Sequence, residues 1–174
     1  MTRFLLATLA ISAFTSNTFA SEPVPKESLL TPPEDATRYV IVSDTNTHGD
    51  EWRWETEDGA IAFRKSQTLR GWITETDALV VMGYDGKPLR IQIRGVTPRG
   101  NAAEEMVTDE NGIRWDSGAD TGTAPPDGGF YLTKGGPNAM FGMLVEYMLD
   151  KGEVKLLPTG TARLRDGGTL SIED

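Results

Sequence analysis

The densest run of groups able to do chemistry is Trp115-Asp116-Ser117-Gly118-Ala119-Asp120-Thr121-Gly122-Thr123-Ala124. Two carboxylates that share one proton let one act as base on a water while the other serves as acid. A second run, Asp44-Thr45-Asn46-Thr47-His48-Gly49-Asp50-Glu51-Trp52-Arg53-Trp54-Glu55, spaces hard oxygen ligands around a glycine that permits a sharp turn, which is what calcium requires. His48 is the only histidine, so no histidine-based metal cluster forms within one chain. A Ser-His-Asp triad would have to be built on it, and no nucleophile-elbow motif presents a serine. Trp52 and Trp54, two residues apart, share one face of a strand. If that face is open, the pair makes a stacking platform for a sugar ring; if closed, it is core. Arg90 and Arg94, with Lys87 and Arg99 nearby, form a basic stripe suited to a carboxylate or sulfate, or simply a solvated strand face. Gly135-Gly136 and Gly167-Gly168 lack phosphate-loop spacing and read as turns.

Asp116-Ser117-Gly118-Ala119 and Asp120-Thr121-Gly122-Thr123-Ala124 are each similar to the Asp-Thr/Ser-Gly signature of aspartic proteases, a resemblance that implies a carboxylate hydrolase. In that family the aspartate follows an apolar strand and a second copy mirrors it. Here Arg114 interrupts the approach, Pro125-Pro126-Asp127 follows, and two copies four residues apart do not supply the pair. Residues 44–55 resemble the EF-hand calcium loop, with Asp44, Asn46, Gly49 and Glu55 at its first, third, sixth and twelfth positions. His48 stands where an oxygen ligand belongs and Glu51 where the family has an apolar residue, and the flanks read as strands. An ordinary polar turn is therefore expected at 44–55, and no metal or cofactor is assigned.

The elements that would position these groups begin after a leader. Arg3, the apolar Phe4–Ile11 and the small-residue Thr18-Phe19-Ala20 form the three parts of a secretory signal peptide over residues 1–20. Cleavage before Ser21 would leave 154 of 174 residues, enough for one domain. The leader is too short and too polar to span a bilayer, and no later stretch is apolar enough. The absence of cysteine excludes both disulfides and lipid attachment at an N-terminal cysteine, and the expected location is the periplasm or the secreted fraction. The formal charge is −9, and loss of Arg3 makes it −10, with 16 basic against 26 acidic residues. Such a chain is repelled by nucleic-acid phosphates and anionic lipid.

Residues 21–37 carry four prolines and read as an extended tether or an edge-lying arm. From 38 to 174 the pattern is β. Arg38–Ser43 is β-branched and aromatic, and Glu51–Thr56 alternates aromatic with charged residues. Asp58-Gly59 turns the chain into Ala60–Arg64, Leu69–Thr74 reads as a further strand, and Ala78–Met82 reads as one covered on both faces. Asp85-Gly86 leads into a strand with Leu89, Ile91 and Ile93 on one buried face. Strands at Glu153–Leu157, Thr161–Arg165 and Thr169–Ile172 close the chain, with a turn at Asp166–Gly168. Residues 99–128 read as one long surface loop around a short strand at Ile113–Trp115. Residues 138–151 fit a helix capped by Asn138 and ended by Gly152, or a strand with Phe141, Met143, Val145, Tyr147 and Leu149 on one face; the strand-rich neighbourhood favours the strand. The fold class is mainly β: a single-domain antiparallel β-sandwich or barrel of about nine short strands, with one helix near 138–151 as the alternative.

The function expected of this chain is a non-enzymatic exported domain that binds an envelope protein or a glycan, with Trp52, Trp54, Arg90 and Arg94 as candidate binding residues. The alternative is a carboxylate-dependent hydrolase with its site in the 109–127 loop. Nothing in the sequence specifies an oligomeric state.

Overall fold

The computed structural model describes residues 24–44, 46–149, 151–165 and 169–173. The expected leader at 1–20 and the turn at Asp166–Gly168 lie outside the described residues. Among the described residues, nine strands form one antiparallel sheet: β1 (Thr37–Ser43), β2 (Asn46–Glu55), β3 (Ile61–Leu69), β4 (Trp72–Met82), β5 (Pro88–Thr97), β6 (Gly100–Asn101), β7 (Glu104–Asp109), β8 (Gly112–Asp116) and β9 (Thr121–Ala124). Their order is a meander from β1 to β9, with the short β6 paired beside β5, and the sheet does not close into a barrel. A second, four-stranded sheet contains β10 (Phe130–Tyr131), β11 (Glu153–Leu157), β12 (Thr161–Arg165) and β13 (Thr169–Glu173). Between β10 and β11 lies the helix α1 (Phe141–Met148), preceded by a 3-10 turn at Asn138–Met140. The architecture is a single sandwich-like domain.

One hydrophobic core joins these layers. Phe63, Ala78, Val80, Ile91, Ile93, Met106 and Ile113 from the large sheet cluster with Met140, Met143, Leu144 and Met148 of the helical segment and with Val154, Leu156 and Ala162 of the second sheet. Cross-strand pairing explains the selection. Phe63 lies opposite Ala78, Ala78 opposite Ile93, and Val80 opposite Ile91, so all of them share the inner face.

The two Asp-Gly turns form as their composition dictates. Gly59 and Gly86 sit at φ +80° and +79°, where a side chain on Cβ is strained. A third turn was hidden inside the expected strand Leu69–Thr74. Arg70 and Gly71 adopt φ +53° and +82°, both positive as a two-residue primed turn requires, so β3 ends at Leu69 and β4 starts at Trp72. Ala78–Met82 is accordingly the second half of an eleven-residue strand. It is not covered on both faces, because Val81 is exposed.

Three further expectations are corrected. Ile91 and Ile93 are buried but Leu89 is exposed: Val81 pairs with Arg90 and Met82 with Pro88, which leaves Leu89 as the extra residue of a β-bulge. Residues 99–128 are not one loop, since β6 to β9 occupy most of the span. Met106 and Ile113 bury themselves on the inner face and bring the polar residues between them into the ladder. Residues 138–151 form a 3-10 turn and a helix rather than a strand; Asp150 lies outside the described residues. Met140, Met143, Leu144 and Met148 are the buried positions, a spacing of three and four that only a helix brings to one face. Gly152, at φ +72°, donates its N–H to Met148 O and ends the helix.

Candidate functional site

Charged residues buried in a β-domain either serve a site or hold the fold together, and the partners decide which. Glu51, on the inner face of β2, accepts the N–H groups of Asn138 at 2.9 Å and Ala139 at 2.8 Å and pairs with Lys65 at 3.2 Å. Glu104, on β7, accepts the Tyr131 hydroxyl at 2.8 Å and the N–H groups of Lys134 and Gly135 at 3.0 and 2.9 Å. Burial, then the negative charge of Glu104, raises the Tyr131 hydroxyl pKa. On the outer face, Glu75 and Asp77 of β4 bind Arg64 and Arg94 respectively. The segment 24–36 reaches this face through Lys26 Nζ to Glu75 at 2.7 Å and Leu30 N–H to Asp77 at 2.8 Å. All of these carboxylates are engaged by cations, by backbone N–H groups or by a hydroxyl, so they staple elements together. Single-residue inspection passes over Glu51 and Glu104 because their partners lie 87 and 27 residues away.

In the candidate catalytic run the two carboxylates have separate partners. Asp116 ends β8 and accepts the Gly118 N–H at 2.8 Å, closing an Asx turn. Asp120 pairs instead with Lys134 at 3.2 Å and accepts from Trp115 Nε1 at 3.4 Å. The calcium-like run is also dispersed. Residues 46–55 are an extended strand rather than the expected polar turn, which at about 3.3 Å per residue keeps Asn46, Asp50 and Glu55 far apart. His48 does find a serine, with Ser43 Oγ 2.5 Å from Nε2, but the pair is exposed at a hairpin end. Among the described residues no third group orients the ring, as a triad would need.

Trp52 and Trp54 project together from the outer face of β2, opposite Arg64 and Ala62, and both are half-buried, neither an open platform nor core. Arg90 and Arg94 lie on that same face of β5, and each has a carboxylate partner: Glu105 at 2.8 Å for Arg90 and Asp77 for Arg94. The four residues therefore share a face, with β3 and β4 between the tryptophans and the arginines. An open cleft of about 700 Å³ lies elsewhere, between the β5–β6 tip and the β8–β9 turn, with Arg99, Asn101, Asp116, Ser117 and Lys134 on its walls. Glu104 lines it, but its carboxylate is already engaged by Tyr131, Lys134 and Gly135.

The feature that calls for a partner is β1. It is an end strand of the large sheet, and among the described residues nothing pairs with its outer edge. An open edge presents a row of unpaired N–H and C=O groups, and stable folds usually shorten, charge or interrupt such edges. The far edge of the same sheet follows that rule: β9 has four residues, Thr-Gly-Thr-Ala, and Pro125-Pro126 follow it. By contrast β1 has seven residues, no proline and one charge, Arg38, which is held by Asp50 at 2.8 Å. Tyr39, Val40 and Val42 are 45%, 52% and 66% exposed, so apolar side chains stand open on both faces. The bulge in this hairpin falls on β2, where His48 is the extra residue, and β1 runs straight through it.

Among the described residues no helix is long and apolar enough to cross a membrane. No protein-family model, curated protein or solved structure matches the chain.

Proposed function

We propose that this chain is an exported, non-enzymatic binding module whose partner is a protein strand added to the outer edge of β1. The observation that carries the reading is the seven-residue apolar edge with Tyr39, Val40 and Val42 exposed, on a sheet whose other edge is short and polar. In strand addition the main-chain hydrogen bonds supply affinity and alternate side chains supply selectivity. The leader-like residues 1–20 support a periplasmic or secreted location. The formal charge of −9 disfavours nucleic acid and anionic lipid as partners. A glycan partner draws less support, because Trp52 and Trp54 are half-buried. A hydrolase at 109–127 draws none from the separate partners of Asp116 and Asp120.

A photo-crosslinking amino acid placed at Val42 in cells tests this, with Thr123 on β9 as the control. The expected result is a protein adduct from Val42 and none from Thr123. An absence of adducts at Val42 sinks the reading, as does equal labelling from the two edges.

A further inference from the structure

We infer that the strand received by β1 is the β1 of a second copy, paired antiparallel about a two-fold axis at Val40. This rests on strand addition at β1 being the chain's mode of binding. A two-fold edge is self-complementary only if the strand reads acceptably against its own reverse. Centred on Val40, the sequence Thr37-Arg38-Tyr39-Val40-Ile41-Val42-Ser43 sets Val40 opposite Val40 and Tyr39 opposite Ile41 of the second copy. Thr37 then meets Ser43. These are aromatic-with-β-branched, β-branched-with-β-branched and hydroxyl-with-hydroxyl pairs, the kinds that stabilise adjacent strands.

Charge permits the same register. Arg38 is the only charged residue of β1, and antiparallel pairing sets it opposite Val42, four residues from the Arg38 of the other copy. That separation is about 13 Å along the strands, beyond the screening length at physiological salt. The guanidinium is also occupied by Asp50 of its own chain. A parallel arrangement would instead bring the two Arg38 residues side by side. Pairing satisfies the open backbone edge, covers one flank of Tyr39, Val40 and Val42, and joins the two large sheets into one. Each copy is net negative, so added salt should tighten the dimer by screening its long-range repulsion.

The test uses the intact protein recovered from the cell envelope. Light scattering and sedimentation should show a dimer at high micromolar concentration. Val40→Lys and Val40→Glu, both at a solvent-exposed position, should each weaken it about tenfold or more, because like charges then face each other. Mixing the two variants should restore a heterodimer, which distinguishes edge pairing from a folding defect. The chain has no cysteine of its own. Val40→Cys should therefore cross-link to itself under mild oxidation, since directly opposite residues lie within disulfide reach, whereas Val42→Cys should not. A monomer at all accessible concentrations overturns the second-copy proposal. If Val42 still yields an adduct with a different protein in cells, strand addition survives and only self-pairing falls. Failure of the mixed variants to associate, or cross-linking at Val42→Cys in place of Val40→Cys, overturns the register.

Discussion

Glu51 and Ala139, 88 residues apart in sequence, are joined by a 2.8 Å hydrogen bond from the Ala139 N–H to the Glu51 carboxylate. The other oxygen takes the Asn138 N–H, so a strand residue caps the helical segment that covers the core. Exposed N–H groups at a helix start need an acceptor, and an anion there also meets the positive end of the helix dipole. No local side chain does this work: the cap position falls on Pro137, which makes no side-chain cap bond, and Asn138, the expected cap, lies inside the 3-10 turn. Glu51→Ala should cost about 3–5 kcal/mol in urea denaturation, since it strands buried Lys65 as well as two N–H groups. Adding Lys65→Met should recover part of the loss. A cost near zero for Glu51→Ala would mean that water replaces the carboxylate.

This contact shows where the sequence stops being legible. Local signals placed the Asp58-Gly59 and Asp85-Gly86 turns and the strands at 38–43, 153–157 and 161–165, because turn chemistry and alternation act within a few residues, but they found only the second half of β2, which begins at Asn46. They failed at 138–151, where the apolar positions fit both periods, and the acceptor that helps fix the helix sits on β2. They failed again at Leu69–Thr74, where Arg70 in the left-handed region gives no compositional warning. Trp52 and Trp54 do share a face, but alternation could not say which. The charged Glu51 turned out to face inward, because a distant N-terminus needed it. The open edge of β1 follows from strand order, which no single strand encodes.

Glu104 fixes the segment that leaves β10. Its carboxylate gathers the Tyr131 hydroxyl and the N–H groups of Lys134 and Gly135, and it is almost wholly buried. Tyr131→Phe should cost about 1–2 kcal/mol, because the carboxylate keeps its two backbone donors. Glu104→Ala should cost more and should speed amide exchange at Lys134 and Gly135 specifically. Unchanged exchange at those amides would show that the loop is held by other means.

Glu75 predicts an acid limb of stability. Burial raises its pKa, but the hydrogen bonds from Lys26, Arg64 and Ser66 together outweigh burial and hold it below the ordinary value. A carboxyl depressed in the folded state stabilises it above the unfolded pKa of about 4.3, and that contribution is lost as pH falls through the folded value. Unfolding free energy should therefore decline from about pH 5 downward. Lys26→Ala should shift this limb to higher pH and cost at most about 1 kcal/mol at neutral pH, since the Lys26 side chain is 60% exposed. Chemical denaturation across the acid range checks both, and a limb that stays in place in Lys26→Ala would remove the segment 24–36 from the account.

Thr76, between Glu75 and Asp77 on β4, offers the opposite sign. Its side chain is fully buried on the inner face, and Oγ1 has no hydrogen-bond partner among the described residues. A buried hydroxyl without a partner has lost its water and gained nothing in exchange, so its removal at constant shape should help. Thr76→Val replaces the hydroxyl with a methyl of similar size and keeps the β-branched side chain that suits a strand. We expect a gain of about 1 kcal/mol and a rise in melting temperature of about 2–4 °C, the shift typical for a chain of this size. A loss of stability would mean that Oγ1 does have a partner, most simply a buried water between β3 and β5.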